Sequence, residues 1–312
     1  MYIDYLKING VKQGIIMVDN NLDKPLLIFV HGGPGCPEFI LFEKKCPEIF
    51  DEFICCFPEQ RGSGLSYSKD LAPDENSQIE KIVDDTIVIT EYYLKKYKKE
   101  KAYIMGHSWG SAIAPLVAKK RPDLYHAYIG IGQINQPWES EKEGYEFILN
   151  KSRIYNNKKI LNKLITNKPT KAYIFSDEYM KIRSSELNKY RKALWHKKKV
   201  SMGTMFAYMQ TSKVYSKTYF LKFITGNMQG GKNGISKLAD MHLEKQIQSL
   251  EIPMYILQGY HDLQTSFKQA QLFYQNVDAP KKKFFIFADS AHCPMLDESE
   301  KFIKSLKEIL SQ

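Results

Sequence analysis

Cysteine is scarce in this chain of 312 residues: it occurs five times, at Cys36, Cys46, Cys55, Cys56 and Cys293. The number is odd and no Cys-x-x-Cys spacing occurs, which argues against a disulfide framework or a zinc ribbon. On a strand the adjacent pair Cys55-Cys56 would point to opposite faces, so reduced, structural thiols are expected. The seven histidines show no His-Glu-x-x-His or other paired metal spacing, and no metal or cofactor is expected. Also missing is any window near the roughly eighteen uninterrupted apolar residues of a membrane span. The opening Met1-Tyr-Ile-Asp-Tyr-Leu-Lys7 has no basic segment leading into an apolar one. The expectation is a soluble cytoplasmic protein with no membrane partner, no internal repeat and no low-complexity tract.

Acidic residues are in deficit, with 45 Lys and Arg against 35 Asp and Glu. The excess is local. Residues 135–250 hold 22 basic and 9 acidic groups, whereas the rest of the chain holds 23 and 26. No nucleic-acid recognition motif accompanies it, so no nucleic-acid partner is expected, and runs such as Lys197-Lys-Lys199 are most simply a solvated face. At 43% hydrophobic and 26% charged residues, the composition is that of a globular protein and excludes disordered or collagen-like chains. The length exceeds the roughly 150 residues of one average domain, leaving room for two domains or for one with a large insertion.

What is present is an alternation of strands and helices. Leu26–Val30, Phe53–Phe57, Ala102–Met105, Tyr125–Ile131, Met254–Leu257 and Lys283–Phe287 are short apolar runs, as expected of strands buried on both faces. Helical periodicity occupies Ile79–Tyr97, about Ser111–Lys120, about Ser266–Asn276 and about Glu298–Leu310. Between 135 and 250 the chain reads as helical and lysine-rich, without a buried strand; Gln229-Gly-Gly-Lys-Asn-Gly234 reads there as a flexible turn and a candidate hinge. The pattern predicts an α/β fold with a mostly parallel sheet covered on both faces.

Candidate chemistry lies after the strands. Gly106-His107-Ser108-Trp109-Gly110 fits G-x-S-x-G between a predicted strand and a predicted helix, a turn that exposes a serine hydroxyl and sets the Trp109 amide at a helix N-terminus. His31-Gly32-Gly33-Pro34-Gly35 offers a second oxyanion donor, the amide of Gly33. Serine needs a base oriented by an acid. His292, after the last strand, is the best base; among the acids Asp262 leads, with Asp289 and Asp297 as competitors and Asp297 read as an N-cap.

These motifs, with Glu59-Gln-Arg-Gly-Ser-Gly64, Gly259-Tyr-His-Asp262 and Ser290-Ala-His292, resemble α/β-hydrolase fold enzymes of the proline iminopeptidase type. The resemblance implies a core of residues 1–134 and 251–312, a helical cap at 135–250, and Ser108, His292 and Asp262 as a catalytic triad with Gly33 and Trp109 as the oxyanion hole. It departs at Glu59, where the family has Asp, and in lacking the tryptophan-glutamate signature that marks the cap acids of such enzymes. Glu139, Glu141, Glu143, Glu146 and Glu186 are candidates for that role.

The expected substrate is a small molecule: a short peptide with an N-terminal proline or small apolar residue. A small ester is the alternative, and a non-catalytic receptor on a hydrolase scaffold is a third reading. Within the insert, Trp138, Met202, Met205, Phe206 and Met209 are the expected substrate contacts, from a set of aromatic and methionine side chains that also includes Tyr145, Phe147, Trp195 and Tyr208.

Overall fold

The computed structural model describes residues 1–312 except 73, 74, 76, 77, 172–176, 198, 199 and 217, and leaves aside the side chains of 202 and 229–237. Eight strands form one sheet: β1 (Tyr2–Ile8), β2 (Val11–Val18), β3 (Leu26–Val30), β4 (Ile54–Pro58), β5 (Ala102–His107), β6 (Tyr125–Ile131), β7 (Met254–Gly259) and β8 (Lys282–Phe287). Their spatial order is β1-β2-β4-β3-β5-β6-β7-β8. Pairing is antiparallel for β1 with β2 and for β2 with β4, and parallel from β4 through β8. The six parallel strands are those expected from the apolar runs; the β1–β2 hairpin is an addition.

Alternation along the strands explains why both faces need cover. Leu26, Ile28 and Val30 of β3 enter one core cluster while Leu27 and Phe29 enter the other, and on β4 Cys56 and Cys55 divide in the same way. Helices Ile79–Tyr97 and Trp109–Lys120 pack on the first face; helix Ser299–Leu310 contributes Phe302, Leu306 and Ile309 to the second. Burying a side chain such as Leu or Phe contributes about 1.5–3 kcal/mol, so two clusters of this size dominate the stability of the sheet.

Between β6 and β7 lie the helices Pro137–Ile154, Lys158–Thr166, Asp177–Lys189, Met202–Gln210, Tyr219–Leu238 and Leu243–Gln246. The first three build a small cluster of their own around Ile148, Leu164, Tyr179 and Leu187, whereas Met205, Met209, Tyr219 and Phe223 join the second face of the sheet core. Gln229–Gly234, read as a turn, lies within the helix Tyr219–Leu238. Because β3 and β5 to β8 run parallel, the loops that follow them gather at one edge of the sheet.

Candidate active site

Ser108 sits between the end of β5 and the helix Trp109–Lys120 with φ 52° and ψ −119°. Such a left-handed conformation is costly for a residue with a Cβ. It is held by an N–H bond to the Ile131 carbonyl of 2.9 Å and by the helix that begins at the next residue. The flanking glycines are sterically required: a Cβ on Gly106 would run into the Gly110 carbonyl, and one on Gly110 into the carbonyl of Val30. Trp109 is fully buried, and its indole N–H donates to Gln60 Oε1 at 3.1 Å.

His292 lies in the loop after β8, and its Nδ1 is 2.8 Å from Asp262 Oδ2 in the loop after β7. Asp262 is saturated with donors. Its Oδ1 accepts from the amides of Gln264 (2.7 Å) and Thr265 (3.0 Å), and Oδ2 from Gln258 Nε2 (3.0 Å) and the Thr265 hydroxyl (2.9 Å). Backbone bonds from His292 and Cys293 to the carbonyls of Ala193 and Leu194 tie this loop to the insert.

The competing acids serve elsewhere. Asp289 pairs with Lys197 at the surface. Asp297 is not an N-cap: it closes the short helix Pro294–Asp297 and accepts from the amides of His196 and Lys197.

His107 of the serine motif and Glu38, three residues after the glycine motif, form a pair that the sequence did not single out. Glu38 accepts from the Gly32 amide at 2.9 Å and stands 2.5 Å from His107 Nδ1, while His107 Nε2 is 3.0 Å from the carbonyl oxygen of His292. Burial alone would raise the Glu38 carboxyl, but the facing His107 and the Gly32 amide outweigh it and lower its pKa. Burial would likewise lower His107, but Glu38 and the Cys293 sulfur raise it well above the ordinary imidazole value. His107 is therefore an imidazolium that donates from Nδ1 to Glu38 and from Nε2 to the His292 carbonyl, joining the glycine loop to the histidine loop. His31, by contrast, is lowered by burial to about 4 and is neutral. Its Nδ1 donates to the Gly32 carbonyl at 2.8 Å, and its Nε2 accepts from the Gln60 amide at 3.0 Å.

Ser108, Trp109, Gly33 and His292 line one cavity of about 320 Å³, within the range of small-molecule sites. The insert supplies Pro137, Ser140, Glu141, Met180, Arg183 and Leu194 to its wall. Glu141 and Arg183 form a buried ion pair of 2.8 Å. Tyr179 also donates to Glu141, and Arg183 to Gln264.

Of the expected substrate contacts, the four with described side chains are not among the residues that line this cavity. Met205 and Met209 pack in the sheet core, Phe206 lies against Phe220, and Trp138 lies under Lys142. The side chain of Met202 is outside the described residues. Of the other candidate acids, Glu139 and Glu186 pair with Lys142 and Lys189, Glu143 accepts from Gln269, and Glu146 is exposed.

A family model described as alpha/beta hydrolase fold matches residues 25–299. The chain is 31% identical to the "Probable aminopeptidase YbaC" of Bacillus subtilis (strain 168) over 304 residues, covering 96% of this chain and 93% of that protein. Among solved structures it resembles VinJ, with a TM-score of 0.70 at 15% identity over 99% of this chain and 98% of that one. It also resembles the proline iminopeptidase of Mycobacterium smegmatis, with a TM-score of 0.66 at 15% identity and the same shares of each chain. The sheet order, the serine turn and these likenesses agree: the chain belongs to the α/β-hydrolase fold family.

Proposed function

We propose that the protein is a serine hydrolase in which Ser108 is the nucleophile, His292 the general base and acid, and Asp262 the group that orients His292. The observation that carries this reading is the 2.8 Å bond between His292 Nδ1 and Asp262 Oδ2, with Ser108 and His292 in the wall of one cavity. An Nδ1–H donated to an ionised Asp262 leaves Nε2 as the basic nitrogen. Ser108 Oγ bonds to the acyl carbon as its proton passes to Nε2 and the carbonyl electron pair moves onto oxygen. The amides of Gly33 and Trp109 receive that oxyanion; each such donor contributes roughly 3 kcal/mol to the transition state. The Gly32 amide, already bound to Glu38, takes no part. Collapse expels the leaving group with the His292 proton, and water repeats the sequence to release the acid.

Residues 135–250 act as a cap over a core of 1–134 and 251–312; the lining by Pro137, Glu141, Met180 and Arg183 supports this. The printed names of the Bacillus and Mycobacterium relatives favour a short peptide with an N-terminal proline or small apolar residue. Small esters are the second reading, favoured by the ion pairs of the cavity. A fluorophosphonate probe should label the wild type and not Ser108→Ala, with hydrolysis lost in parallel. Persistent labelling of that variant would sink the assignment of Ser108; a wild type that binds small molecules but takes no label would favour the receptor.

A further inference from the structure

From the pairing of the charges around Ser108 we infer that the acyl group this site accepts is uncharged and apolar, and carries no α-ammonium group. The inference rests on the serine hydrolase reading and decides between its two substrate classes. Two carboxylates line the cavity among the described residues, Glu38 and Glu141. Each is already answered. Glu38 is 2.5 Å from His107 and accepts the Gly32 amide; Glu141 is 2.8 Å from Arg183 and accepts the Tyr179 hydroxyl. All four charged side chains are at most 7% exposed.

Asp262 lies behind His292, does not line the cavity, has its oxygens taken up by five hydrogen-bonding partners, and is needed for the imidazolium that forms when His292 takes the serine proton. Cys36, also in the wall, is a neutral thiol, pushed up by burial to about 12. The charged side chains that line the pocket are thus paired with one another before any substrate enters. An ammonium group would be a third, unanswered cation beside Arg183 and His107, stripped of water with no free counter-ion, an arrangement that costs several kcal/mol. A neutral acyl group disturbs nothing. The remaining wall suits it: Ile134, Pro137, Met180, Leu194 and Leu238 are apolar, and Ser140, Ser184, Asn227, Gln264 and Thr265 are polar but uncharged.

The lysine excess of residues 135–250 points the same way, because the field of a net positive cap repels a cationic substrate at long range.

Methyl isobutyrate and alanine methyl ester test this directly, since they are nearly the same size and differ by a methyl group in place of the ammonium. The ammonium makes its ester the more electrophilic of the two, so a preference for isobutyrate must come from the site. The wild type is expected to show kcat/KM for methyl isobutyrate at least about tenfold above that for alanine methyl ester. An equal or higher value for the alanine ester, in protein whose Ser108 takes a fluorophosphonate label, would overturn the inference and leave the hydrolase reading standing. Failure of the wild type to label would instead overturn the serine reading beneath it.

Arg183→Met uncovers the Glu141 carboxylate, so in protein that still labels the ratio should move toward the alanine ester by about tenfold. A labelled variant with the wild-type ratio would contradict the charge balance. The wild-type ratio decides even if that variant does not fold.

Discussion

A carboxylate beside a developing oxyanion raises the barrier unless its charge is answered, and at the scale of single residues the proposed mechanism gives this role to His107. Glu38 grips the amide of Gly32, next to the proposed donor Gly33, and its negative charge is met by the His107 imidazolium. The pair has a pH signature of its own. His107, raised, contributes stability that is full below its ordinary value near 6.5 and is lost as pH climbs through the raised value. Glu38, lowered, contributes stability that is present above its ordinary 4.5 and is lost as pH falls through the lowered value. Cys293, raised by burial, and His31, lowered by burial to about 4, face the same pair, and the His292 ring lies 4.7 Å from that of His107. Glu38→Gln removes the counter-ion and should destabilise the protein by about 3 kcal/mol at neutral pH. It should also abolish the His107-dependent decline of Tm on the alkaline side and lower kcat by about tenfold or more, as the glycine loop loses its anchor. Thermal unfolding across pH 4 to 10 measures this; a curve of unchanged shape, merely shifted down, would contradict it.

Among the elements, the helix Tyr219–Leu238 and the turn before it are fastened to the loop after β4 by Glu59, the residue that stands where the resembled family has Asp. Its Oε1 accepts from the hydroxyls of Tyr215 and Tyr219, both 2.8 Å away and stacked 3.7 Å apart, and its Oε2 accepts the Leu65 amide. Burial pushes its carboxyl from 4.5 to about 7, against these donors and the charge of Lys222, while Glu59 in turn helps to raise Tyr5. Here the sign is the reverse of the usual acid. Between 4.5 and 7 the folded state binds more protons than the unfolded chain, so stability falls with rising pH across that window by about 3 kcal/mol. Glu59→Gln should flatten that slope, gaining on the wild type as pH goes from 5 to 8 in a denaturant series; parallel curves would refute the assignment.

The extra methylene of Glu59 was legible in the sequence, but its tyrosine partners were not, because they are more than 150 residues away and follow no motif. The parallel strands were legible because each is a continuous apolar run. β1 was not, since its residues are mostly half-exposed, although Asn9-Gly10, with φ 45° and 84°, carried the signal of a tight hairpin. The glycines after Gln229 misled because tertiary packing overrides propensity: in the same helix Gly226 lies where a Cβ would press on the Gly62 carbonyl. Ser108, His292 and Asp262 could be named from motif and chain order, whereas Glu38, Thr265, Gln258 and Arg183 emerge only from the way the loops converge.

Over the whole molecule the charge is divided between a basic insert and a slightly acidic remainder, and the cavity lies where the two meet. Lys158, Lys159, Lys163, Lys168 and Lys181 are exposed, and among the described residues no lysine lines the cavity. The lysine charge therefore acts on a substrate through the long-range field and not through contact. Such a field speeds the encounter with an anion, slows that with a cation and ignores a neutral molecule, and it decays over about 10 Å at 0.1 M salt. For a neutral ester, kcat/KM should stay flat as ionic strength rises from about 0.02 to 0.3 M. For an ester bearing a remote carboxylate it should fall several-fold, all of it in kcat/KM at low substrate and none in the saturating rate. Flat rates for both would assign the lysines to solubility alone. A fall in the saturating rate would mean that a lysine touches the bound substrate, contrary to the lining of the cavity.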